Sequence, residues 1–503
     1  MSYSLLKVRL FLLLLFVTLT AAAEEYSWQG CRRGTPRPLT ALRRGAENTQ
    51  PRQVGGDFYQ GVRHQLVIMV TFNDLFFQDD NDNVTIEKWD KVFNERDYVE
   101  GGLVGSIHDY FYDQSYGQFD LRFDLLYIAL NESVKKYRST GSYGDDENSQ
   151  YLVNDLADVL QTYDIDWGKY DWNGDGFVNQ LMIIFPGKGQ NNGGGSNSIW
   201  PHQWWLSQRL KDRVPNEYCE PRQMIYNGKE YWIDCYCALQ EIANNKPFGN
   251  FGTICHEYTH CFGFPDFYGP IQSPHNWDLM DYGNNNGSGL CPPNYSAHER
   301  FLMGWLKPIV LAEETSVTDM PALGDEPQAY MICNDGYENE FYMVENRQQR
   351  GWDAELPGSG LIVFHIDYDE NLWLAVNAQL PNTSYKLHYH IFPANNEESY
   401  RNSGGWCYPF NGNNSLTNMS APVDTLNNIN SDGTYHMNKP LTNMQVTGGL
   451  ASFDFMKDPS SIHGIETSPA ITSCWYDLQG RKLSRRPQRK GLYIVEGRKV
   501  VVK

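Results

Sequence analysis

The sequence predicts an α/β domain over residues 63–310, followed by a β-rich domain over 311–458 and a short β tail over 459–503. In the first region, apolar runs rich in β-branched residues, such as 65–72 and 180–185, alternate with stretches of helical periodicity. This alternation is typical of layered α/β structure. In the second region, short alternating segments separated by Gly, Asn and Pro dominate, which indicates β structure.

The individual elements follow from apolar periodicity, and glycine marks several of their ends. In chain order they are a strand at 65–72, a helix at 106–117, a strand at 119–126, a helix at 150–162, a strand at 180–185, a helix at 252–262, strands at 341–345 and 360–365, and tail strands at 491–495 and 500–502. Residues 187–197 are rich in Gly and Asn and predict a surface loop.

The first 23 residues predict an export signal. Lys7 and Arg9 form a short positive region, residues 10–19 are almost wholly apolar, and three alanines ending at Ala23 offer a cleavage site. The apolar run is short for a membrane span, and no later segment predicts one. Residues 24–62 have no apolar period and are interpreted as a linker or short pro-segment. We therefore expect the export machinery to deliver the protein to the medium or the cell surface, without a transmembrane segment.

The chain is acidic, with a formal net charge of −20, although residues 480–503 carry nine Lys or Arg and one Glu. An acidic body argues against nucleic acid as a partner, because phosphate binding needs clustered basic side chains. The composition instead fits an exported protein that stays soluble and whose acidic side chains can bind calcium.

The segment that begins at His256 carries the most specific chemical signal. His256 and His260 are four residues apart, so they lie on one face of a helix, where their imidazoles can share a metal ion. Glu257 can reach a water on that metal and act as its general base. This H-E-x-x-H spacing is typical of zinc hydrolases. The alternative is an amphipathic helix with two partly buried histidines.

Two carboxylates compete for the place of third metal ligand. Gly263 lets the chain leave the helix in a sharp turn, and Asp266, six residues past the second histidine, then returns toward the metal. Glu299 follows the second histidine at a distance typical of glutamate-ligated zinc peptidases. We favour Asp266 because its spacing fits the glycine turn, and interpret Glu299 as a carboxylate on a helix surface or one that supports a metal ligand without binding the metal.

A second cation site is predicted in the segment 171–179. Side-chain oxygens stand at alternate positions, with a glycine at the sixth, as at the start of a calcium loop. The candidate ligands are Asp171, Asn173, Asp175 and Asn179. The twelfth position is Met182, which excludes a full EF-hand. An Asx-rich turn without an ion is the alternative.

All ten cysteines lie beyond the expected cleavage site, where export permits disulfides, but their connectivity cannot be deduced from the sequence. Cys31 lies in the segment before the catalytic region. We hypothesise that its thiolate caps the zinc in a latent form, with a disulfide or a free thiol as the alternatives.

Over about residues 60–456 the chain resembles the secreted metallopeptidases related to immune inhibitor A. The resemblance rests on the metal motif with Pro265 before Asp266, on Met280 with Tyr282, and on further matching segments at 106–117, 171–179, 199–202, 296–305, 344–348 and 356–361. It implies a metzincin-like zinc endopeptidase. The basic tail, with segments 476–481 and 491–503, resembles the C-terminal sorting domains of exported Bacteroidetes proteins.

The resemblance assigns zinc to His256, His260 and Asp266, and acid–base work to Glu257. It also implies that Met280 forms a Met-turn under the metal, as a hydrophobic floor. Tyr282 resembles the tyrosine that approaches the metal in some metzincins, where a neutral phenol can donate to an oxyanion. An ordinary core methionine and a structural tyrosine are the alternatives for these last two residues.

The sequence thus predicts a secreted zinc endopeptidase that acts on protein or peptide substrates. A surface adhesin or glycan-binding protein with a vestigial zinc site is the alternative, suggested by the large Trp- and Tyr-bearing region 311–456. The intact Glu257 speaks against it, since a dead site has no physical need for that carboxylate. A zinc amidase acting on a non-protein substrate is a smaller third possibility.

Overall fold

The computed structural model describes residues 59–78, 82–138, 148–208, 220–269, 273–369, 372–373, 381–383 and 386–457, and in the tail 475–476, 482–483, 487, 490–495 and 498–502. The expected export signal, nearly all of the 24–62 segment and Cys31 lie outside these residues. In the part of the chain that is described, no helix has the length and apolar character needed to cross a membrane.

The helices and strands are numbered in chain order. The α-helices are α1 (Asp82–Asn94), α2 (Ile107–Gln114), α3 (Ser149–Leu160), α4 (Phe251–Cys261) and α5 (Ala297–Leu302). The first strands are β1 (Gly61–Thr71), β2 (Phe119–Ala129), β3 (Leu181–Lys188), β4 (His202–Trp205), β5 (Arg222–Tyr226), β6 (Lys229–Ile233), β7 (Cys235–Ala243) and β8 (Lys246–Pro247). The later strands are β9 (Ile309–Val310), β10 (Thr315–Met320), β11 (Tyr330–Cys333), β12 (Glu340–Arg347), β13 (Gly360–Asp367), β14 (Tyr389–Ile391), β15 (Leu441–Thr447), β16 (Leu450–Phe455), β17 (Trp475–Tyr476), β18 (Lys482–Leu483), β19 (Gly491–Val495) and β20 (Arg498–Val502).

A six-stranded mixed sheet organises the first region, with the order β2-β1-β3-β7-β4 and β8 beside β7. The pairs β1–β2, β1–β3 and β3–β7 are parallel, whereas β4 runs antiparallel to β7. Because parallel neighbours need crossover connections, α1 and α2 lie between β1 and β2 along the chain, α3 lies between β2 and β3, and strands β4–β6 lie between β3 and β7. The predicted α/β character of this region is therefore confirmed.

Alternate residues of β1 join apolar clusters on opposite faces of this sheet. Val67 and Met69 pack in the cluster that contains the apolar residues of α4. Leu66, Ile68 and Val70 pack in the cluster that contains those of α3. The sheet is thus covered by helices on both faces, and the metal-motif helix lies on one of them.

The second region is built mainly of antiparallel strands. One sheet has the order β14-β13-β12-β11-β9, and a second has the order β10-β16-β15. The same apolar cluster that surrounds α4 also contains Trp352, Phe364 and Trp406 from this region. A division at residue 310 stays a prediction, because residues up to Phe455 form one compact unit and residues from Met456 a second.

The tail forms a small antiparallel sheet of its own, with the order β18-β17-β19-β20. Strands β19 and β20 pair along five residues each, from Gly491 with Val502 to Val495 with Arg498. This pair agrees with the two tail strands expected from the sequence.

Candidate active site

Helix α4 carries the metal motif and is anchored on both sides. On one side, Tyr258 donates its phenol hydrogen to Gln65 on β1, at 3.0 Å. On the other, the hydroxyls of Thr259 and Tyr295 lie 2.5 Å apart. Both anchors are buried, so the helix that presents the two histidines is held against the sheet and against the segment that precedes α5.

The chain turns back toward the helix directly after α4. Gly263 adopts a φ of 109°, a conformation that residues with a Cβ rarely take. After this turn Asp266 Oδ1 lies 3.1 Å from His256 Nε2 and 3.4 Å from His260 Nε2. The ligand atoms of these three residues all lie within 4.8 Å of one another. The predicted return of Asp266 is thus present in the structure.

Two backbone carbonyls set the orientation of both imidazoles. His256 Nδ1 donates to the Leu279 carbonyl and His260 Nδ1 to the Phe264 carbonyl, each at 2.8 Å. A carbonyl oxygen only accepts, so Nδ1 carries the hydrogen and Nε2 is left to face Asp266. Two imidazole nitrogens and one carboxylate oxygen form a donor set that zinc prefers, and three protein ligands leave one position open. The residues present therefore fit a catalytic zinc ion.

The segment around Met280 lies directly behind these ligands. It supplies the Leu279 carbonyl that fixes His256, and the Met280 carbonyl accepts the amide hydrogen of Phe267 at 2.8 Å. Met280 itself is completely buried in the core. The turn is thus bonded both to the first ligand and to the residue that follows the third.

The ionisable groups of the site shift one another's pKa values. Burial lowers the pKa of His256, but the hydrogen bond and charge of Asp266 outweigh burial and raise it to about 9. Burial would raise the pKa of Asp266, yet His260 and His256 hold it well below its usual value. Burial raises the pKa of Glu257, and the two histidines oppose this shift. A cation bound here would take the place of a proton on His256.

Glu299 does not lie in the group formed by the two histidines and Asp266. It is completely buried in the first turn of α5, where its carboxylate accepts the amide hydrogen of Ser296 at 2.7 Å. The Ser296 hydroxyl accepts the amide hydrogen of Glu299 in return, so the two residues form a capping box. The geometry therefore supports Asp266 rather than Glu299 as the third ligand.

Tyr282 is half exposed, and a second tyrosine lies between it and the metal ligands. The ring centroid of Tyr268 lies 5.4 Å from that of Tyr282 and 6.0 Å from that of His256. Burial, Asp266 and Glu257 all raise the pKa of Tyr268 well above its usual value. Sequence reasoning missed Tyr268, although its position two residues after Asp266 was a signal that it lies near the metal.

The residues of the predicted calcium loop share one set of hydrogen bonds. Asp171 accepts the amide hydrogen of Gly176 at 3.0 Å, and Asn179 accepts that of Trp172 at 2.7 Å. Asn173 donates to Asp175 at 2.9 Å. The second carboxylate oxygen of Asp171 is buried and accepts no hydrogen bond within the described part of the chain.

Both disulfide-bonded and thiol cysteines occur among the described residues. Cys333 is disulfide-bonded, whereas Cys235, Cys237, Cys255, Cys291 and Cys407 carry thiols. Burial raises the pKa of Cys255, next to the first histidine, well above its usual value. A thiol held neutral in this way is a poor metal ligand, so Cys255 packs as a small apolar residue.

A family model described as the immune inhibitor A peptidase M6, catalytic domain, matches residues 62–303. Residues 62–303 belong to the peptidase M6 family. By family, this part of the chain is a metallopeptidase catalytic domain, and the resemblance to the immune inhibitor A peptidases is confirmed over residues 62–303. The peptidase M6 region ends just after α5, so the matched segment contains the whole of the metal site.

Two curated relatives match the peptidase M6 region at low identity. Immune inhibitor A of Bacillus thuringiensis subsp. alesti is 25% identical over 236 residues, which are 40% of this chain and 32% of that protein. The pre-pro-metalloprotease PrtV of Vibrio cholerae serotype O1 (strain M66-2) is 25% identical over 242 residues, 41% of this chain and 25% of that protein. The chain thus spans a third or less of the length of these relatives.

Proposed function

We propose that this protein is a zinc-dependent endopeptidase that hydrolyses peptide bonds in protein or peptide substrates. The observation that carries the proposal is the convergence of His256 Nε2 and His260 Nε2 on Asp266 Oδ1, at 3.1 and 3.4 Å. The carbonyl bonds at both Nδ1 atoms and the family match support the same assignment.

In this proposal His256, His260 and Asp266 hold the zinc, which when bound polarises water and the substrate carbonyl. Glu257 takes the proton of the attacking water and delivers it to the leaving amine. Burial raises the pKa of Glu257, so its carboxylate is a stronger base for this proton transfer. His256 and His260, and to a smaller extent the Gln203 backbone amide that donates to Glu257, oppose this rise in pKa.

We further infer a metzincin-like arrangement, in which Met280 is the Met-turn residue. The bond from His256 to the Leu279 carbonyl supports this role, because it ties the turn to the metal ligand. Tyr282 is proposed to donate its phenol hydrogen to the oxyanion that develops on the substrate carbonyl. Its side chain is half exposed and lies 5.4 Å from Tyr268 between ring centroids, which supports a place for it at the edge of the site.

The test compares zinc content and casein cleavage in the purified mature protein. Glu257→Ala should retain zinc and lose about 10²- to 10⁴-fold in cleavage rate, because only the proton shuttle is removed. Glu314→Ala changes an exposed glutamate on the second region and serves as the matched control. Chelation should abolish cleavage, and added zinc should restore it. Undiminished cleavage by Glu257→Ala would refute the mechanism.

Calcium binding to the loop of Asp171, Asn173, Asp175 and Asn179 remains a proposal. The buried, unbonded oxygen of Asp171 supports it, because a buried carboxylate oxygen without a partner is costly. Calorimetric titration of calcium into wild type and Asp171→Asn tests the site. Heat of binding that is equal in both proteins would leave the loop as a turn without an ion.

Export to the cell surface or medium, removal of 1–23 and the sorting-domain resemblance of the tail also remain proposals. N-terminal sequencing of protein recovered from the medium of the producing cells tests the first two. The family match does not favour the adhesin alternative. Proteolysis by the purified protein separates that alternative from the endopeptidase.

A further inference from the structure

Four aromatic side chains extend from the metal site toward the surface, and we call them the aromatic wall: Tyr268, Tyr282, His275 and Tyr400. Tyr268 stacks on the metal ligand His256, with ring centroids 6.0 Å apart and an interplanar angle of 26°. The next centroid distances along the wall are 5.4, 4.5 and 4.3 Å. The wall therefore connects the reacting centre with a surface of the second region.

His275 lies between the rings of Tyr282 and Tyr400. Its interplanar angles to them are 25° and 8°, so the three rings form a nearly parallel stack. The side chains of Tyr282 and Tyr400 are nevertheless 49% and 50% exposed. Among the described residues, neither phenol oxygen has a hydrogen-bond partner. Exposed aromatic surface that continues from a catalytic site is typical of a binding surface.

The backbone at the centre of the stack is strained. His275 has a φ of 54°, in the left-handed region that residues other than glycine seldom adopt. Its amide hydrogen is donated to the Asp281 carboxylate at 2.7 Å, and Asp281 directly precedes Tyr282 in the chain. One short segment thus holds both His275 and Tyr282 in place. Strain of this kind persists where the surroundings fix it, and it clusters at binding sites.

We propose that the aromatic wall is a substrate subsite that takes a bulky aromatic or apolar side chain of the peptide, on one side of the scissile bond. The proposal rests on the proposed endopeptidase function. An extended peptide advances about 3.3 Å per residue. Because the ring centroids of the wall are 4.3 to 5.4 Å apart, the wall is long enough to run beside several substrate residues, one of which places its side chain on the wall. His275 stacks on the Tyr400 ring and the Arg401 guanidinium lies 5.9 Å from the ring centroid, so an aromatic side chain packs against the part of the ring that stays exposed, whereas an alanine leaves that part in water.

The first test uses peptides that differ only by Phe or Ala at each position flanking one cleavage site. Tyr400→Ala should lower kcat/KM about 10-fold for peptides with Phe at one of these positions, and change the Ala peptides less than about 2-fold. Tyr400→Phe keeps the ring and should behave as wild type. Tyr435→Ala removes a tyrosine that is 54% exposed elsewhere in the second region, and is the matched control.

The second test measures binding without turnover. Fluorescence anisotropy of labelled Phe and Ala peptides is recorded on zinc-loaded Glu257→Gln protein, with and without Tyr400→Ala. The proposal expects tighter binding of the Phe peptide, and loss of this preference when Tyr400 is removed. A Tyr400→Ala variant that weakens both peptides equally, or neither, overturns the proposal.

The two tests also separate this proposal from the proposed function. If the wild type cleaves no peptide but the anisotropy preference depends on Tyr400, the endopeptidase assignment fails and the binding surface stands. If the wild type cleaves the panel and Tyr400→Ala has no selective effect, only the subsite fails. The panel also includes peptides with Arg at the same positions, and a selective loss for these rather than for the Phe peptides overturns the apolar assignment in favour of a cation-binding wall.

Discussion

Replacing Arg347 by methionine should destabilise the protein more than any exposed charge substitution. Its guanidinium is completely buried and donates from Nε and Nη2 to Asp353 at 2.8 and 2.6 Å. Nη1 donates to Glu345 at 2.9 Å, and Nη2 also donates to the Asn294 carbonyl at 3.0 Å. Although burial lowers the pKa of Arg347, its two carboxylate partners outweigh burial and raise it. The guanidinium therefore stays charged.

The magnitude follows from what the substitution leaves behind. The side chains of Glu345 and Asp353 are 0% and 3% exposed, so Arg347→Met leaves both carboxylates buried without their counter-charge. Breaking a buried ion pair by removing one partner costs about 3–5 kcal/mol. Since a domain of this kind is stable by about 5–15 kcal/mol, the variant should lose a large part of its free energy of unfolding.

Arg350→Met provides the matched control three residues later. The Arg350 side chain is 53% exposed, and its partner Asp325 is 45% exposed. An exposed pair of this kind contributes about 1 kcal/mol or less, because water screens the charges. Both variants lose one guanidinium in the same segment, so the difference between their free energies of unfolding reports the effect of burial.

Urea unfolding followed by tryptophan fluorescence measures both variants. The measurements use zinc-saturated protein that also carries Glu257→Gln, so that self-cleavage does not distort the curves. Arg347→Met should shift the midpoint far below that of Arg350→Met, with an unchanged slope. A free energy of unfolding within about 1 kcal/mol of the control would refute the reasoning.

Three further outcomes are expected. Asp266→Ala should lose zinc, whereas Glu299→Gln should keep both the helix cap and the zinc. Metal analysis by mass spectrometry compares the two variants. Loss of zinc in Glu299→Gln alone would reverse the ligand assignment. Tyr282→Phe should retain zinc and lose about 10²-fold in kcat, and an unchanged kcat would remove it from the mechanism. Burial raises the pKa of Asp278 to about 7 against the usual 3.8, so its contribution to stability is complete below about pH 4 and is lost as pH rises through about 7. Asp278→Asn should therefore remove up to about 4 kcal/mol of this pH dependence, while its amide can still bond Tyr389. Urea midpoints at pH 5 and pH 8 that shift as in wild type would contradict this.

The local elements could be predicted because their signals are local. Strand β1 carries its apolar run, and helix α4 its apolar period and glycine stop, within a few residues, and both lie within a few residues of their expected bounds. The convergence of His256, His260 and Asp266 was predictable for the same reason, since one helix and one turn produce it. Residue spacing alone is enough to bring these three side chains together.

Strand β7 was missed, although it is central in the first sheet. Its run Cys235–Ala243 contains Gln240 and Glu241, whose polar side chains interrupt the apolar pattern. In the folded chain Glu241 accepts amide hydrogens from Gln78 and Gly187, at 3.0 and 2.8 Å. These donors come from distant segments, so the sequence pattern alone gives no reason to place a carboxylate in a buried strand.

The aromatic wall was missed for a related reason. Tyr400 is far from His275 in the chain, and only the packing of the second region against the peptidase M6 region brings their rings to 4.3 Å. Single exposed tyrosines are common and carry no pattern in sequence. A stack of this kind can be recognised only when tertiary contacts are known.

The carbonyls of Leu279 and Phe264 orient both histidine ligands through protein atoms alone. We therefore expect the polypeptide, rather than a bound ion, to set the orientation of both imidazoles. Protein stripped by a chelator should keep its native circular dichroism and regain full occupancy on reconstitution.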